Sequence, residues 1–579
     1  MVIGGWALAS LVLLIAGWGA IVARVLPDAD DSMRLLEVRD WLAGQSWFDV
    51  AQHRLNGGAF PMHWSRLVDL PLAGVIVALR PLLGTPLAEH VAVVVVPLLT
   101  LLAALALIAS IARRLGGDTL VLPAFLMAAL SVPLTFQMSP LRIDHHGWQI
   151  VLALAATRGL LATPGVRSGL LTGAALATLL TISLEGLPIA AGITGVAALA
   201  WIVASTRGTM LRSAMLALTG GAILLHAATR GPGFWLPACD AVAPAWLAVL
   251  GVATIGIIGA AAIERFGMIA RLIALGVTAA AAAATLVLLA PVCLAGPFGT
   301  LPPLVYRLWY LPVLEGRPVW EQPPVWAAAT MALPIAGLIG AARAWHTATG
   351  EARARWTMFA LLLLAATVTA AAVSRAGATA NALAAPAAAV WLAHLLARAR
   401  AISGPVPRVA ATLATLALAA PGTLAAAAFN AVPHREAAKV QLSHRPPCRD
   451  TRDMRVLGAL PPGIVFAPID LTPALLLDTP HRAVAGGYHR GAAAIARVIT
   501  GFTADPATAR AAILATHADY LAVCPGMQEM TANRDRAPDG LWARLERGER
   551  FDWLRPIPVR GPALVWRVIH PLREGGSAP

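Results

Sequence analysis

Three short groups of ionisable residues stand out in an otherwise apolar chain: Asp28-Ala29-Asp30-Asp31, Arg142-Ile143-Asp144-His145-His146, and Glu315 in Val313-Leu314-Glu315-Gly316-Arg317-Pro318. Carboxylate oxygens combined with an imidazole hold a divalent cation, and hard oxygen donors favour Mg²⁺ or Mn²⁺. Asp144 and His146 are two positions apart, so in an extended segment they point the same way. A cation held there bridges a phosphate and neutralises the charge that develops as the phosphate leaves. Each group alone is a weak signal, because an acidic loop is equally a solvated surface. Arg142 suits a phosphate through its forked donors, with an ion pair to Asp144 as the plainer role. Glu185, in Ser183-Leu184-Glu185-Gly186-Leu187-Pro188, breaks an apolar stretch. A carboxylate inside a membrane is costly and usually functional, whereas at the surface it costs little. His63-Trp64-Ser65-Arg66 and Tyr488-His489-Arg490 are candidates for lining a substrate cleft. Interfacial anchoring explains Trp64 equally well, and a surface loop explains the second cluster.

The elements that must position these groups follow from composition. The chain has 579 residues, 58% hydrophobic and 13% charged, with a net charge of +14. Soluble domains carry about 25% charged residues, and disordered chains are poor in apolar ones. Charge this sparse also argues against a nucleic-acid binder. A multi-pass α-helical membrane protein remains. Runs of about 17–25 apolar residues cross a bilayer as helices, and about thirteen are readable. They lie near 4–26, 90–111, 119–138, 148–163, 168–184, 186–205, 212–229, 243–262, 270–291, 324–342, 356–374, 377–397 and 409–429. The first has no cleavage site of small residues and reads as an anchor. One set of alternate loops, from Arg113 to Arg408, holds fourteen arginines against three acids, Asp118, Glu264 and Glu351. The positive-inside rule assigns that set to the cytoplasm. The first loop, 27–89, then faces outward with eight acids against five arginines, as do 292–323 and 430–579.

The first loop contains amphipathic stretches such as Met33–Leu42, which predict interfacial helices. Residues 1–429 thus form a transmembrane domain and 430–579 a soluble one. The latter shows β-like runs at 464–466 and 520–523 and a helical run at 505–516, as in a small α/β domain. Cys239 and Cys293 lie at the outer mouths of one predicted hairpin, and Cys448 and Cys524 both lie in the outer domain. Disulfides persist outside the cytoplasm, so two pairs, 239–293 and 448–524, stand against the alternative of four thiols.

With these elements in order, the sequence resembles the catalytic subunits of oligosaccharyltransferases, of the GT-C membrane glycosyltransferase class. That family has about thirteen spans and an outer C-terminal domain. Asp31-Ser32-Met33-Arg34-Leu35 stands where the family carries its first aspartate motif, Asp144-His145-His146 matches the Asp-His-His of archaeal members, and Val313, Glu315 and Pro318 match a loop motif ending in glutamate. The resemblance implies Asp31, Asp144, His146 and Glu315 as metal ligands, with Asp30 taking the place of Asp31 if the register shifts by one. It implies Arg375 as a donor-phosphate contact, joined by Arg142. The segment after Arg375 departs from the family, because Pro386 comes about one helical turn late. The acceptor motif departs further. Where the family has Trp-Trp-Asp-Tyr-Gly, this chain reads Pro468-Ile469-Asp470-Leu471-Thr472.

The resemblance therefore implies a metal-dependent transferase in a bacterial inner membrane with its C-terminal domain in the periplasm. It would move a sugar or glycan from a polyprenyl phosphate or pyrophosphate to a protein, lipid or polysaccharide acceptor, with Asp31 or Glu315 in a catalytic role. Alternatives are a polyprenyl-phosphate-sugar transferase or ligase acting on lipid or polysaccharide, and a transporter of lipid-linked glycans. A transporter places its polar groups at mid-membrane and often shows inverted repeats, neither of which is visible here.

Overall fold

A computed structural model describes residues 1–419, 422, 424–425 and 447–571. The end of the predicted span 409–429 and the predicted domain boundary at 430 lie outside the described residues. The chain divides into two compact units. One comprises Met1–Ala23, Trp64–Pro297 and Val313–Pro433; the other comprises Arg24–His63, Phe298–Pro312 and His434–Pro579.

The first unit is helical. Among the described residues, eight helices are long and apolar enough to cross a membrane, including Thr85–Gly116, Pro324–Thr347 and Gly350–Ala372. Three shorter apolar helices accompany them. Several predicted spans are interrupted. The run 4–26 is two helices, Val2–Ala16 and Trp18–Ala23, and 119–138 breaks between Val121–Ala129 and Val132–Phe136. Small residues set the helix spacing. A side chain added at Gly169 or Gly173, on helix Val166–Ile182, would collide with the carbonyls of Met210 or Ala214 on helix Gly208–Arg230. Close backbone approach of this kind lets membrane helices pack without bulky side chains. A buried amide fastens the helix that begins at Gly377. Asn381 donates to Thr330 O and Gly377 O, each at 2.8 Å, and accepts from Ser131 Oγ at 3.0 Å. Cys239 is disulfide-bonded to Cys293 in this unit.

The second unit contains an antiparallel pair, β1 (Ala51–Gln52) and β2 (Phe60–Pro61), and a five-stranded mixed sheet: β3 (Ile464–Phe466), β4 (Arg482–Ala483), β5 (Tyr520–Val523), β6 (Leu554–Ile557) and β7 (Leu564–Val568). The order in the larger sheet is β4-β3-β5-β7-β6. β3 runs parallel to β4 and β5, while β7 is antiparallel to β5 and β6. Helices Ala492–Thr503 and Pro506–Leu514 follow β4, and Phe502 and Ile513 are buried in the apolar core against the sheet. Cys448 is bonded to Cys524 at the end of β5. The first part of the first loop, through His63, belongs to this unit. Asn56 N–H donates to Ala483 O at 3.0 Å, and Ala483 N–H donates to Arg54 O at 2.8 Å, covering the β4 edge. Arg39 and Arg54 donate to the carbonyls of Leu477 and Thr479, each at 2.8 Å. The stretch Met33–Leu42 is helical, within Ala29–Leu42, but every residue from Asp31 to Val38 is buried. Burial on all sides is that of a packed helix, not of one lying with a single apolar face on a membrane.

Candidate functional site

The helical unit gathers six of the chain's ionisable groups into one chain of contacts. The loop after Phe136 ends at Asp144, and helix His146–Leu160 starts two residues later. His145 caps that helix in the α conformation, with φ −71° and ψ −16°. The segment is therefore not extended, and the side-by-side argument for Asp144 and His146 does not apply. Both imidazoles nonetheless converge on Asp144: His145 Nδ1 is 2.6 Å from Oδ1, and His146 Nε2 is 3.3 Å from Oδ2. Glu185 joins from the turn between helices Val166–Ile182 and Leu187–Val203, with Oε2 at 3.3 Å from His145 Nε2 and 3.8 Å from His146 Nδ1. Gln149, one turn along the helix, meets His146 Nδ1 at 3.1 Å.

Burial alone would raise Asp144 and lower His145. Their mutual contact reverses both, holding Asp144 well below the usual carboxylate range and raising His145 to about 10, with Glu185 adding to the latter. The carboxylate–imidazole pair is thus charged on both sides at neutral pH.

Arg375 connects this cluster to the third group. Its guanidinium contacts Glu185 Oε1 through Nη1 and Glu315 Oε1 through Nη2, the latter at 2.7 Å. The backbone makes this possible. Ser374 donates to Arg317 O from N–H at 3.1 Å and from Oγ at 2.8 Å, tying the Glu315 loop to the residues just before helix Gly377–Arg400. Arg142 flanks Asp144, and its charge adds to the lowering of that carboxylate. Arg142 also donates to Gln137 Oε1 at 3.2 Å, covers the Phe136 ring at 5.3 Å, and lines a small cleft with Asp144, Thr100 and Leu72.

Asp144, His145 and His146 each offer a ligand atom, all within 4.8 Å of one another. Once the His145 proton is displaced, one carboxylate oxygen and two imidazole nitrogens fit a divalent cation of borderline character such as Mn²⁺. Glu315 faces Arg375.

In the second unit, Asp28 caps helix Ala29–Leu42 by accepting from Asp30 N–H at 3.0 Å. Asp30 is half-buried, whereas Asp31 in the first turn is fully buried. The acidic triplet therefore divides into a cap, a partly exposed neighbour and one enclosed carboxylate. Trp64 is 5% exposed within the helical unit, too enclosed for an interfacial anchor. Tyr488 is buried, His489 packs edge-on against His63 at 5.0 Å, and Arg490 donates to Pro61 O at 3.2 Å.

The turn 468–472 has a partner that sequence reasoning missed. Glu529 accepts from the N–H groups of Ile469 and Asp470 at 3.0 and 2.9 Å. Burial, and then the neighbouring Asp470 carboxyl, push Glu529 up to about 8. A carboxyl raised on folding stabilises the fold below its unfolded value, and that stabilisation is lost as pH rises through the folded value. Thermal stability of the full chain is accordingly expected to fall between about pH 5 and 8. Glu529→Gln should flatten that slope in melting curves taken across the range. An unchanged slope rejects the assignment.

No family model matches this chain, and no curated protein matches it in sequence. Solved structures do match it. The fold is the GT-C fold of oligosaccharyltransferases. The archaeal oligosaccharyltransferase AglB from Archaeoglobus fulgidus, in complex with an inhibitory peptide and a dolichol-phosphate, superposes with a TM-score of 0.69 at 14% identity, over 96% of this chain and 72% of that one. The Archaeoglobus fulgidus oligosaccharyltransferase tethered with an acceptor peptide containing the NVT sequon gives 0.67 at 13% identity, over 99% and 75%. Its complex with Zn and sulfate gives 0.62 at 14%, over 90% and 67%.

Proposed function

We propose that this protein is a membrane glycosyltransferase that takes a sugar or glycan from a polyprenyl phosphate or pyrophosphate. It transfers that group to an acceptor on the outer face of a bacterial inner membrane. The observation that carries this reading is the contact chain Asp144–His145/His146–Glu185–Arg375–Glu315 within a GT-C fold. Solved structures of that fold include one with dolichol-phosphate and one with Zn and sulfate, which supports a lipid phosphate and a divalent cation as ligands here. The paired disulfides support an oxidising compartment for Cys239, Cys293, Cys448 and Cys524.

Asp144 and His146, with His145 between them and with Glu315 as a further ligand, are the residues that would hold the cation. A bound divalent cation neutralises charge on the departing phosphate. Arg375 presents forked donors that suit a phosphate once they are exchanged from Glu185 and Glu315. Arg142 supplies a second cation beside the cleft. Asp31 serves to orient the acceptor or take its proton.

The acceptor differs from a peptide sequon in this reading. Pro468-Ile469 replaces a pair of tryptophans, and neither residue offers an aromatic face or a side-chain donor. A lipid or polysaccharide acceptor fits that loss better than a protein. The test is purified protein in proteoliposomes with polyprenyl-linked sugars labelled on the sugar. Chelator-sensitive movement of label from the lipid to a second molecule is the expected result. Label that crosses the bilayer still attached to its lipid would instead establish a transporter.

A further inference from the structure

The segment Phe298–Pro312 belongs to the same compact unit as the C-terminal sheet. Two anchors fix it there. Val305 is fully buried in that unit's core, and Arg536 Nη1 donates to Leu308 O at 3.1 Å. Between them, Tyr306–Tyr310 forms a single π turn, closed by Leu311 N–H donating to Tyr306 O at 2.9 Å. Such turns are rare and concentrate at functional sites.

This turn is aromatic. The chain has only four tyrosines, and two of them stand here with Trp309. Tyr306 and Tyr310 have ring centroids 5.2 Å apart, tilted by 30°. Phe298 lies 4.5 Å from Tyr310 at 33°. His489 meets Phe298 edge-on at 5.2 Å, and His63 meets His489 at 5.0 Å. The rings come from three distant stretches of sequence, yet they are not sealed in a core: Tyr306 is 41% exposed and the others are half-buried.

Clustered rings with solvent-facing surface and polar edges match one chemistry closely. A sugar ring has an apolar C–H face that stacks on an aromatic ring and hydroxyls that need donors and acceptors at the rim. An acyl chain would leave phenol and imidazole groups unmatched. Interfacial anchoring calls for single rings at headgroup level, not five rings in mutual contact.

We propose that Phe298, Tyr306, Tyr310, His489 and His63 form a carbohydrate subsite that holds a sugar ring of the acceptor. The inference rests on the glycosyl-transfer reading above and deepens it by naming the acceptor as a glycan. The experiment measures binding without donor. Full-length protein in nanodiscs is titrated with labelled oligosaccharides of hexose, deoxyhexose and N-acetylhexosamine. Saturable binding of at least one is expected. Tyr306→Ala and Tyr310→Ala should each weaken it about tenfold, Tyr306→Phe should retain most of it, and Leu304→Ala, on the same segment, should leave it unchanged. Three results overturn the subsite: no oligosaccharide binds, the alanine variants bind as the parent does, or the tyrosine changes affect only an Asn-X-Thr peptide or lipid vesicles. Tyr306-dependent glycan binding by a protein that transfers nothing from any polyprenyl carrier would remove the transfer reading and keep the subsite. Transfer to peptide without glycan binding would do the reverse.

Discussion

Asp144→Asn is expected to lower glycosyl transfer by at least about a hundredfold in protein that still inserts and folds. Asp144 is 4% exposed and is the residue on which both imidazoles converge. Asparagine keeps its shape and one acceptor oxygen but loses the charge. It can neither balance a protonated His145 nor contribute an anionic ligand. The loss should appear in the initial rate with a lipid-linked donor, normalised to folded protein. It should also appear in calorimetric titration with Mn²⁺, a readout independent of turnover. His146→Ala should reproduce both effects. Parent-level transfer by the asparagine variant, or by parent protein in excess chelator, would remove the cation from the mechanism.

Arg375→Ala is expected to raise the donor KM by about ten- to a hundredfold, as charge-assisted hydrogen bonds are worth about 1.5–3 kcal/mol. Its guanidinium lies between Glu185 and Glu315, so truncation also removes the cation that those two carboxylates share. Lysine should rescue in part: it restores the charge but is a single point, not a fork able to hold two oxygens separately. If Arg375 serves donor binding, KM carries the loss and kcat changes less. A fall in kcat alone would instead make Arg375 a structural tie for the Glu315 loop.

The small C-terminal domain was readable because its strands are short and uninterrupted. Runs at 464–466 and 520–523 are β3 and β5, and the helical run at 505–516 is the helix Pro506–Leu514. Helix ends inside the apolar bulk were harder to read. Hydropathy does not register the break between Ala129 and Val132, because both sides are equally apolar. At the site, Asp144, His146, Glu315 and Glu185 stood out as polar residues in apolar surroundings, and Arg375 through the family resemblance alone. That Arg375 would connect Glu185 and Glu315 depends on Ser374 binding the Arg317 carbonyl, a tertiary contact with no sequence pattern. His145 was passed over because the extended-strand argument treats it as a spacer, whereas helical capping turns it toward Asp144. Glu529 gave no signal at all: an acid in a polar helix, Gln528–Arg536, is unremarkable until the turn it holds is known.

The cover on strand β4 has a consequence for how the protein is made. Arg54 reaches its partner Thr479 across 425 residues. At about 5–20 residues per second, synthesis of that interval lasts on the order of tens of seconds. For all that time the early loop has been made and its partner strand has not. The sheet-bearing unit therefore cannot complete its fold as the ribosome proceeds; it closes only when the late segment arrives. Until then the loop's backbone groups are held by water or by a chaperone, and β4 in any chain that failed to recruit the loop would offer a bare strand edge to its neighbours. The docking of residues 54–56 on Ala483 is thus a late step in the folding of this unit.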